Sequence, residues 1–250
     1  METGHDDFAL LTQSTLPHGV LSVVRLPDAK NEQRALESLR AVQERLHHDE
    51  QELANALPVL RRVSFVGGRV ALRDAISRVA PNEREHPVLR TSRGAPLMPP
   101  GVLGSVSHKR TLAVALVAPQ APDVHTLGVD VEERPGVSEL SRPDLAPKIL
   151  TANERSTLGD LSLRDALAYR EAVRLRFALK EAVYKAIDPH VHRHVRFQEV
   201  EVFPEGEGEL DVRLFLPEFT EQAITVRAWW ARLAEHLVTT AIASPLNSQY

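Results

Sequence analysis

The sequence contains no cysteine among its 250 residues. Disulfide bonds, thiolate metal ligands and a cysteine nucleophile are therefore excluded, and the redox compartment is left open. The longest clear apolar run, residues 112–118, is far shorter than the ~20 residues that a membrane-spanning helix needs. The N-terminus, METGHDDF, is acidic and lacks the apolar segment of a secretory signal. We expect a cytoplasmic protein.

The sequence also lacks a strong excess of charge. The formal net charge is -4, from 30 basic and 34 acidic residues, which argues against a general nucleic-acid binder. The length is sufficient for one or two domains. A proline-containing linker, residues 119–123, lies near the midpoint. It divides the chain into two predicted halves, residues 1–122 and 123–250.

A weak internal repeat predicts how these halves are built. Residues 111–119 resemble residues 237–245, and residues 65–76 resemble residues 177–187 if one residue is dropped. We therefore predict an α+β fold with two pseudo-symmetric α/β halves. Each half is a small, mostly antiparallel sheet with a long packed helix, and the active site lies in the cleft between them.

Apolar periodicity and turn residues predict the individual elements. Strands are predicted at 18–26, 112–118, 127–131, 195–203, 209–216, 224–230 and 237–243. Helices are predicted at 35–46, before Pro58, up to Val79, and from a start near Ser162 to about Ile187. Thr151 to Glu154 fits a capping box, and the tail after Pro245 is expected to fray.

The stretch FALKEAVYKAI, residues 177–187, carries the most informative pattern. Glu181 and Lys185 are four residues apart and share one face of the predicted helix, with Lys180 at its edge. In GVDVE, residues 128–132, Asp130 and Glu132 point to the same side of a strand. Three carboxylates and two lysines that can converge predict a metal and phosphate site. The hard oxygen donors suit Mg²⁺ or Mn²⁺ and not zinc.

Basic residues in the first half point to the same chemistry. Arg69 and Arg73 share a helix face, and no acid lies four residues before either. The more specific interpretation is that these two arginines contact a phosphate; the alternative is that they form a solvated basic face of the helix. Ser107, His108 and Lys109 precede a buried strand, where they either bind phosphate or have a structural role. No GxSxG motif is present, which excludes a serine hydrolase of that type.

Several acidic and histidine patterns also have simpler interpretations. Glu181 and Lys185 alone fit an ordinary helix ion pair, worth about 0.2–0.5 kcal/mol, and Asp130 with Glu132 fits a solvated pair. Residues 47–50 (HHDE) fit a solvated helix junction rather than a metal site. For residues 190–194 (HVHRH) we prefer a strand rim near the substrate entrance to a metal cluster. Taken together, the acids, lysines and arginines favour an enzyme acting on a phosphate ester.

These motifs resemble a known family. They are GRVALR (68–73), RGAP (93–96), GSVSH (104–108), GVDVE (128–132) and FALKEAVYK (177–185). The set resembles the 4'-phosphopantetheinyl transferases, in particular the monomeric, double-length class that serves siderophore, nonribosomal peptide and polyketide carrier proteins. The motifs occur in the family's order.

The resemblance implies roles for individual residues. Asp130, Glu132 and Glu181 match ligands of a Mg²⁺ ion, with Mn²⁺ possible, on the pyrophosphate of coenzyme A in the cleft. Lys180 and Lys185 match lysines that contact this diphosphate. Glu181 is the implied base, directly or through a water, and Lys185 neutralises the leaving phosphate. The residues that match the 3'-phosphate and adenine site are Arg61, Arg69, Arg93, Ser107 and His108; whether Arg61 or Arg62 faces the phosphate is left open.

The implied reaction transfers 4'-phosphopantetheine from coenzyme A to a serine of an apo acyl or peptidyl carrier protein, releasing 3',5'-ADP. The implied enzyme is a monomer without nucleic-acid or membrane partners. The arginines at 164, 170, 174 and 176 form a candidate landing surface for an acidic carrier. Two alternatives are a Mg²⁺-dependent pyrophosphate or nucleotide hydrolase and a non-catalytic coenzyme A-binding module.

Overall fold

The computed structural model describes residues 7–28, 30–121, 126–217 and 224–245. The chain separates into two compact units, Met1–Gln120 and Ala121–Tyr250. Residues 122 and 123 of the predicted linker, and the predicted frayed tail after Pro245, lie outside the described residues.

The first unit is a four-stranded antiparallel sheet with a long helix packed on it. The strands follow the order β1-β2-β6-β5, and a two-stranded ribbon, β3-β4, lies apart from this sheet. The strands are β1 (Leu10–Leu16), β2 (Gly19–Arg25), β3 (Leu89–Arg90), β4 (Pro96–Leu97), β5 (Val102–His108) and β6 (Leu112–Pro119), and the helices are α1 (Glu32–Gln43), α2 (His48–Asn55) and α3 (Val59–Val79). Strand β1 was not predicted; its residues are exposed or half-buried and none is buried, so the apolar signal was weak.

Helix α3 packs closely on this sheet because of its glycines. A β-carbon on Gly67 would overlap the Leu26 side chain and lie 3.4 Å from the β-carbon of Ala113. Pro58 is the N-cap of α3, whereas the sequence pattern predicted that it ends the preceding helix. Proline is tolerated at this helix start because the first backbone donors have no intrahelical partner.

The second unit repeats this plan with a five-stranded antiparallel sheet. Its strands follow the order β7-β11-β10-β9-β8. The strands are β7 (Thr126–Glu133), β8 (Val200–Val202), β9 (Gly208–Leu214), β10 (Ile224–Leu233) and β11 (His236–Pro245), and the helices are α4 (Ala146–Ile149), α5 (Ala152–Leu158), α6 (Leu161–Arg164) and α7 (Ala166–Val191). The predicted α+β class, with an antiparallel sheet and a long helix in each half, is confirmed.

Helix α7 differs from its predicted bounds at both ends. Asp165 is its N-cap and accepts hydrogen bonds from the Leu167 and Ala168 amides. At the other end Pro189 lies inside the last turn, where its missing donor disturbs only the end of the helix. His192, with φ of 56°, ends the helix in the left-handed conformation. The strand predicted for residues 190–194 is therefore wrong.

Two further local predictions have clear outcomes. The capping box at Thr151 and Glu154 is confirmed, because each side chain accepts the other's backbone amide hydrogen bond. The strand predicted for residues 195–203 is shorter, since residues 197–199 form a 3-10 turn before β8. None of the helices within the described residues is both long and apolar enough to cross a membrane.

Gly128 is the point of closest approach between β7 and α7. A β-carbon there would overlap the backbone carbonyl of Ala182, which cannot move without displacing the helix. We expect Gly128→Ala to destabilise the second unit by about 2 kcal/mol or more, because overpacking against backbone is poorly relieved. Urea unfolding measures this, with Gly206→Ala as a control, since nothing lies within 4 Å of a β-carbon at Gly206. Equal stability of both variants would contradict the close packing.

Candidate active site

Strand β7 presents two carboxylates to helix α7. Gly128, Asp130 and Glu132 share one side of the strand because side chains alternate with a period of two. Since Gly128 abuts α7, Asp130 and Glu132 face the same helix. Both are buried, with 6% and 2% of their surface exposed. A carboxylate pair at this burial needs positive charge nearby.

Helix α7 supplies that charge from two positions. Lys185 Nζ lies 2.8 Å from Asp130 Oδ1 and donates a second hydrogen bond to the Val129 carbonyl, also at 2.8 Å. Arg174 Nη1 lies 3.3 Å from Glu132 Oε2. The helix therefore runs antiparallel to β7, with one cation against each acid.

The register of α7 places Glu181 on the helix face that meets these acids. Glu181 lies seven residues after Arg174 and four before Lys185, spacings that keep the three side chains on one face. Because its two neighbours on this face contact Glu132 and Asp130, this spacing leads us to expect Glu181 on the side of α7 that faces β7. The side chain is half-buried. A role for Glu181 beside the two strand acids stays a prediction.

The chemistry of these groups fits a hard divalent cation. Within the part of the chain that the structure describes, no three histidine or acidic side chains are already assembled as a metal site. Mg²⁺ commonly takes only one or two protein carboxylates, with substrate phosphates and waters as its other ligands. Asp130, Glu132 and Glu181 offer oxygen donors only, as such an ion requires.

Lys180 lies elsewhere, in the core of the second unit. Only 1% of it is exposed. Its Nζ donates to Glu154 Oε2 at 2.6 Å and to the Ile149 and Phe197 carbonyls at 2.8 Å each. These three hydrogen bonds use all the donors of the ammonium group. Burial lowers the pKa of Lys180, while Glu154 and Glu201 oppose that shift.

Arg69 and Arg73 of α3 lie next to a buried acid, Glu50, which the sequence pattern predicted to be solvated. Glu50 is fully buried, not part of a solvated junction. Its carboxylate accepts the Val88 amide at 2.9 Å and Arg73 Nη2 at 2.5 Å, and its Oε1 lies 3.9 Å from Arg69 Nε. The ion-pair partner of Arg69 and Arg73 is therefore on α2, so a search for acids on the same helix could not find it.

Arg69 is also part of an aromatic stack. Its guanidinium lies 4.3 Å from the Phe65 ring centroid, and that of Arg90 lies 4.7 Å from the same centroid. Burial lowers the pKa of Arg69 to about 10, and the nearby Arg90 and Arg73 act in the same direction against Glu50. Two guanidinium groups at one ring concentrate positive charge, a favourable setting for an anion.

The two candidate arginines at the start of α3 have different surroundings. Arg62 donates to the Asn55 and Leu57 carbonyls at 3.1 Å each, closing the end of α2. Arg61 is exposed and lies one and two helical turns before Phe65 and Arg69 on a shared face. Among the described residues Arg61 has no hydrogen bond or ion pair. It is the one of the pair that is available to a ligand.

The remaining predicted residues of the first unit lie near the β5–β6 hairpin and the β3–β4 turn. Ser107 is buried and His108 is exposed at the end of β5, where they pair with Val114 and Ala113 of β6. Arg93 is exposed in the turn between β3 and β4. Their roles at a phosphate stay predictions.

The arginine surface proposed for a carrier protein is not continuous. Arg164 belongs to α6, and Arg176 is buried, donating to the Ala172 carbonyl at 3.1 Å. Arg170 donates to the Arg142 and Pro143 carbonyls at 2.7 and 2.9 Å. Arg176 is therefore wrong as a member of the predicted landing surface, because its side chain is buried; contact of the other three arginines with a carrier stays a prediction.

Comparisons with known proteins identify the family of this chain. A family model for the 4'-phosphopantetheinyl transferase N-terminal domain matches residues 48–118, and one for the 4'-phosphopantetheinyl transferase superfamily matches residues 126–241. The 4'-phosphopantetheinyl transferase Svp of Streptomyces mobaraensis is 32% identical over 195 residues, covering 76% of this chain and 75% of its own length.

Two further similarities are less extensive. Enterobactin synthase component D of Salmonella typhimurium is 34% identical over 145 residues, 58% of this chain and only 55% of that protein. The crystal structure of a holo-ACP synthase from Plasmodium yoelii shares 16% identity, with a TM-score of 0.41, over 51% of this chain and 100% of its own. On the family match and the relationship to Svp, the chain belongs to the 4'-phosphopantetheinyl transferase superfamily.

Proposed function

We propose that this chain transfers the 4'-phosphopantetheine group of coenzyme A to a serine of an apo carrier protein and releases 3',5'-ADP. Membership of the superfamily supports the reaction class. The structural observation that supports the proposal is the pair of contacts from α7 to β7, Lys185 with Asp130 and Arg174 with Glu132; Glu181 lies between these two cations along the helix. We infer that the acceptors are carrier domains of siderophore, nonribosomal peptide or polyketide synthases.

Asp130, Glu132 and Glu181 would hold a Mg²⁺ ion against the diphosphate of coenzyme A. When bound, the ion supplies charge stabilisation for the phosphate oxygens. When the diphosphate binds, the Lys185 ammonium would exchange its contact with Asp130 for a contact with the diphosphate. The lysine side chain is flexible enough for this exchange. This exchange keeps the site's charge balanced when the anionic substrate arrives.

The protein groups then direct a phosphoryl transfer. The carrier serine oxygen attacks the β-phosphorus, and a new P–O bond forms as the bond to the leaving 3',5'-ADP breaks. Glu181, directly or through a water, accepts the serine proton. Lys185 neutralises the charge that develops on the departing phosphate. Such catalysis depends mostly on positioning and charge stabilisation.

We assign the 3'-phosphate of coenzyme A to the basic cluster of the first unit. The guanidinium groups of Arg69 and Arg90 flank the Phe65 ring, and Arg61 lies one helical turn before Phe65 on the same face. This assignment also includes Arg93, Ser107 and His108, because they match residues of the family's 3'-phosphate and adenine site. Lys180 receives a structural role instead of a diphosphate contact, because its three donors are used in the core.

The reaction class is tested by incubating the protein with coenzyme A, Mg²⁺ and a panel of apo carrier proteins. We expect a mass increase of one phosphopantetheine group on a carrier, and loss of the increase when the acceptor serine is replaced by alanine. Breakdown of coenzyme A without carrier modification would instead support the hydrolase alternative. Binding without turnover would support a non-catalytic module.

A matched pair of variants tests the 3'-phosphate assignment. We expect Arg61→Ala to lower kcat/KM for coenzyme A by about 10- to 100-fold, the worth of one hydrogen bond to a charged group, with little effect on dephospho-coenzyme A. Arg62→Ala should lower thermal stability through loss of the α2 cap and leave the ratio of the two substrates unchanged. Equal losses on both substrates for Arg61→Ala would place Arg61 away from the phosphate.

A further inference from the structure

One guanidinium in the second unit is shared between two carboxylates. Arg174 Nη1 lies 3.3 Å from Glu132 Oε2, and its Nη2 lies 2.5 Å from Glu139 Oε2. Glu139 is in the 3-10 turn Val137–Ser141 that follows β7. A residue outside every recognised motif is thus connected to a proposed metal ligand through a single cation.

The two carboxylates hold Arg174 unequally. The contact with Glu139 is the shorter, and the side chain of Glu139 is 22% exposed, against 3% for Glu132. Glu139 also accepts a hydrogen bond from Arg142 Nη1 at 2.8 Å, three residues further along the chain. Because Arg142 also binds Glu139, the Glu139 carboxylate is held in place. It therefore holds the Arg174 guanidinium near the 3-10 turn and away from Glu132.

We propose that Glu139 sets the divalent-cation affinity of the active site by holding Arg174 back from Glu132. The proposal rests on the proposed function, in which Glu132 is a metal ligand. A guanidinium is always charged, so it competes with an incoming cation for the same carboxylate. Glu139 weakens this competition, and it acts through Arg174 instead of through contact with the ion.

Competition between Arg174 and the metal ion for Glu132 predicts a different result from a purely structural role of Glu139 and Arg174. Removing the Glu139 charge lets Arg174 bind Glu132 more strongly, so metal affinity falls. Removing Arg174 eliminates the competitor, so metal affinity rises. A tether that only orders the site would weaken metal binding in both variants.

The test measures Mn²⁺ binding by titration calorimetry and electron paramagnetic resonance, with saturating coenzyme A and no carrier protein. We expect E139Q to weaken Mn²⁺ binding about 3- to 10-fold and R174Q to strengthen it about 3- to 10-fold, as for one unit charge moved near a solvated ion. In the double variant, E139Q should change affinity less than about 2-fold relative to R174Q alone, because its effect depends on Arg174. R174M serves as a second variant if R174Q does not fold.

R170Q is the matched control. Arg170 fastens the same loop through the carbonyls of Arg142 and Pro143, so its loss loosens the loop without touching the shared guanidinium. We expect its Mn²⁺ affinity to equal that of the wild type. If both E139Q and R174Q bind Mn²⁺ more weakly than the wild type, the inference is wrong. It is also wrong if E139Q changes the affinity equally in the presence and absence of Arg174. Neither result affects the proposed function. A wild-type protein that binds no Mn²⁺ with coenzyme A overturns the proposed metal site and the inference with it.

Discussion

Glu181→Gln should reduce carrier modification by about 1,000-fold or more, because it removes the proposed proton acceptor and a proposed metal ligand in one substitution. Glutamine has nearly the same shape and suits a helix, so α7 should form normally. The measurement is the rate of phosphopantetheine transfer at saturating coenzyme A and Mg²⁺. Circular dichroism and thermal unfolding show whether the fold is retained.

Glu171→Gln is the control on the same helix. Glu171 pairs with Arg134 and Arg232 in the second unit, and only 16% of its side chain is exposed. Its loss should therefore lower stability, but it should change activity less than about 3-fold because neither arginine belongs to the proposed site. A Glu181→Gln enzyme with near wild-type turnover would refute both roles assigned to Glu181. A comparable loss in both variants would show that disturbance of α7 is responsible.

Lys180→Met should lower the stability of the second unit by about 3–5 kcal/mol, because it leaves a buried carboxylate without its cation. Glu154 is fully buried, and Lys180 is its ion-pair partner. A decrease in Tm of roughly 10 °C or more is expected from this loss. Lys148→Met, at an exposed lysine of α4, should change Tm by no more than about 1–2 °C.

A second substitution separates the charge from the packing. Glu154→Gln in the Lys180→Met background removes the uncompensated charge and keeps an acceptor for one of the two amides, Thr151 and Val202, that donate to Glu154. We expect it to restore a large part of the lost stability. If Lys180→Met is as stable as the wild type but inactive, the structural role is wrong and the diphosphate contact implied by the family gains support.

Local patterns predicted much of this structure. The alternation in GVDVE placed Asp130 and Glu132 on one side of a strand, and the spacing of Glu181 and Lys185 placed them on one helix face; both placements are observed. The antiparallel halves and the family are also confirmed. These features depend on neighbours within a few residues or on motifs, which a single sequence contains.

The contacts that the sequence patterns did not predict join residues that are far apart in the chain. Glu50 pairs with Arg73, 23 residues later, and Arg174 reaches Glu132, 42 residues earlier. The final role of Lys180 depends on where the Ile149 and Phe197 carbonyls lie. Side-chain type and helical spacing did not distinguish this buried lysine from the half-buried Lys185, because only tertiary packing decides which of them faces the core.

The pairing of each strand acid with a cation from α7 has a consequence for how the enzyme matures. Many small metal-binding domains remain unfolded until their ion binds, because metal binding supplies the free energy of folding. Here Lys185 and Arg174 already compensate Asp130 and Glu132. If the proposed metal site is correct, we therefore expect folding to be independent of metal binding: a chelator should abolish activity without unfolding the protein.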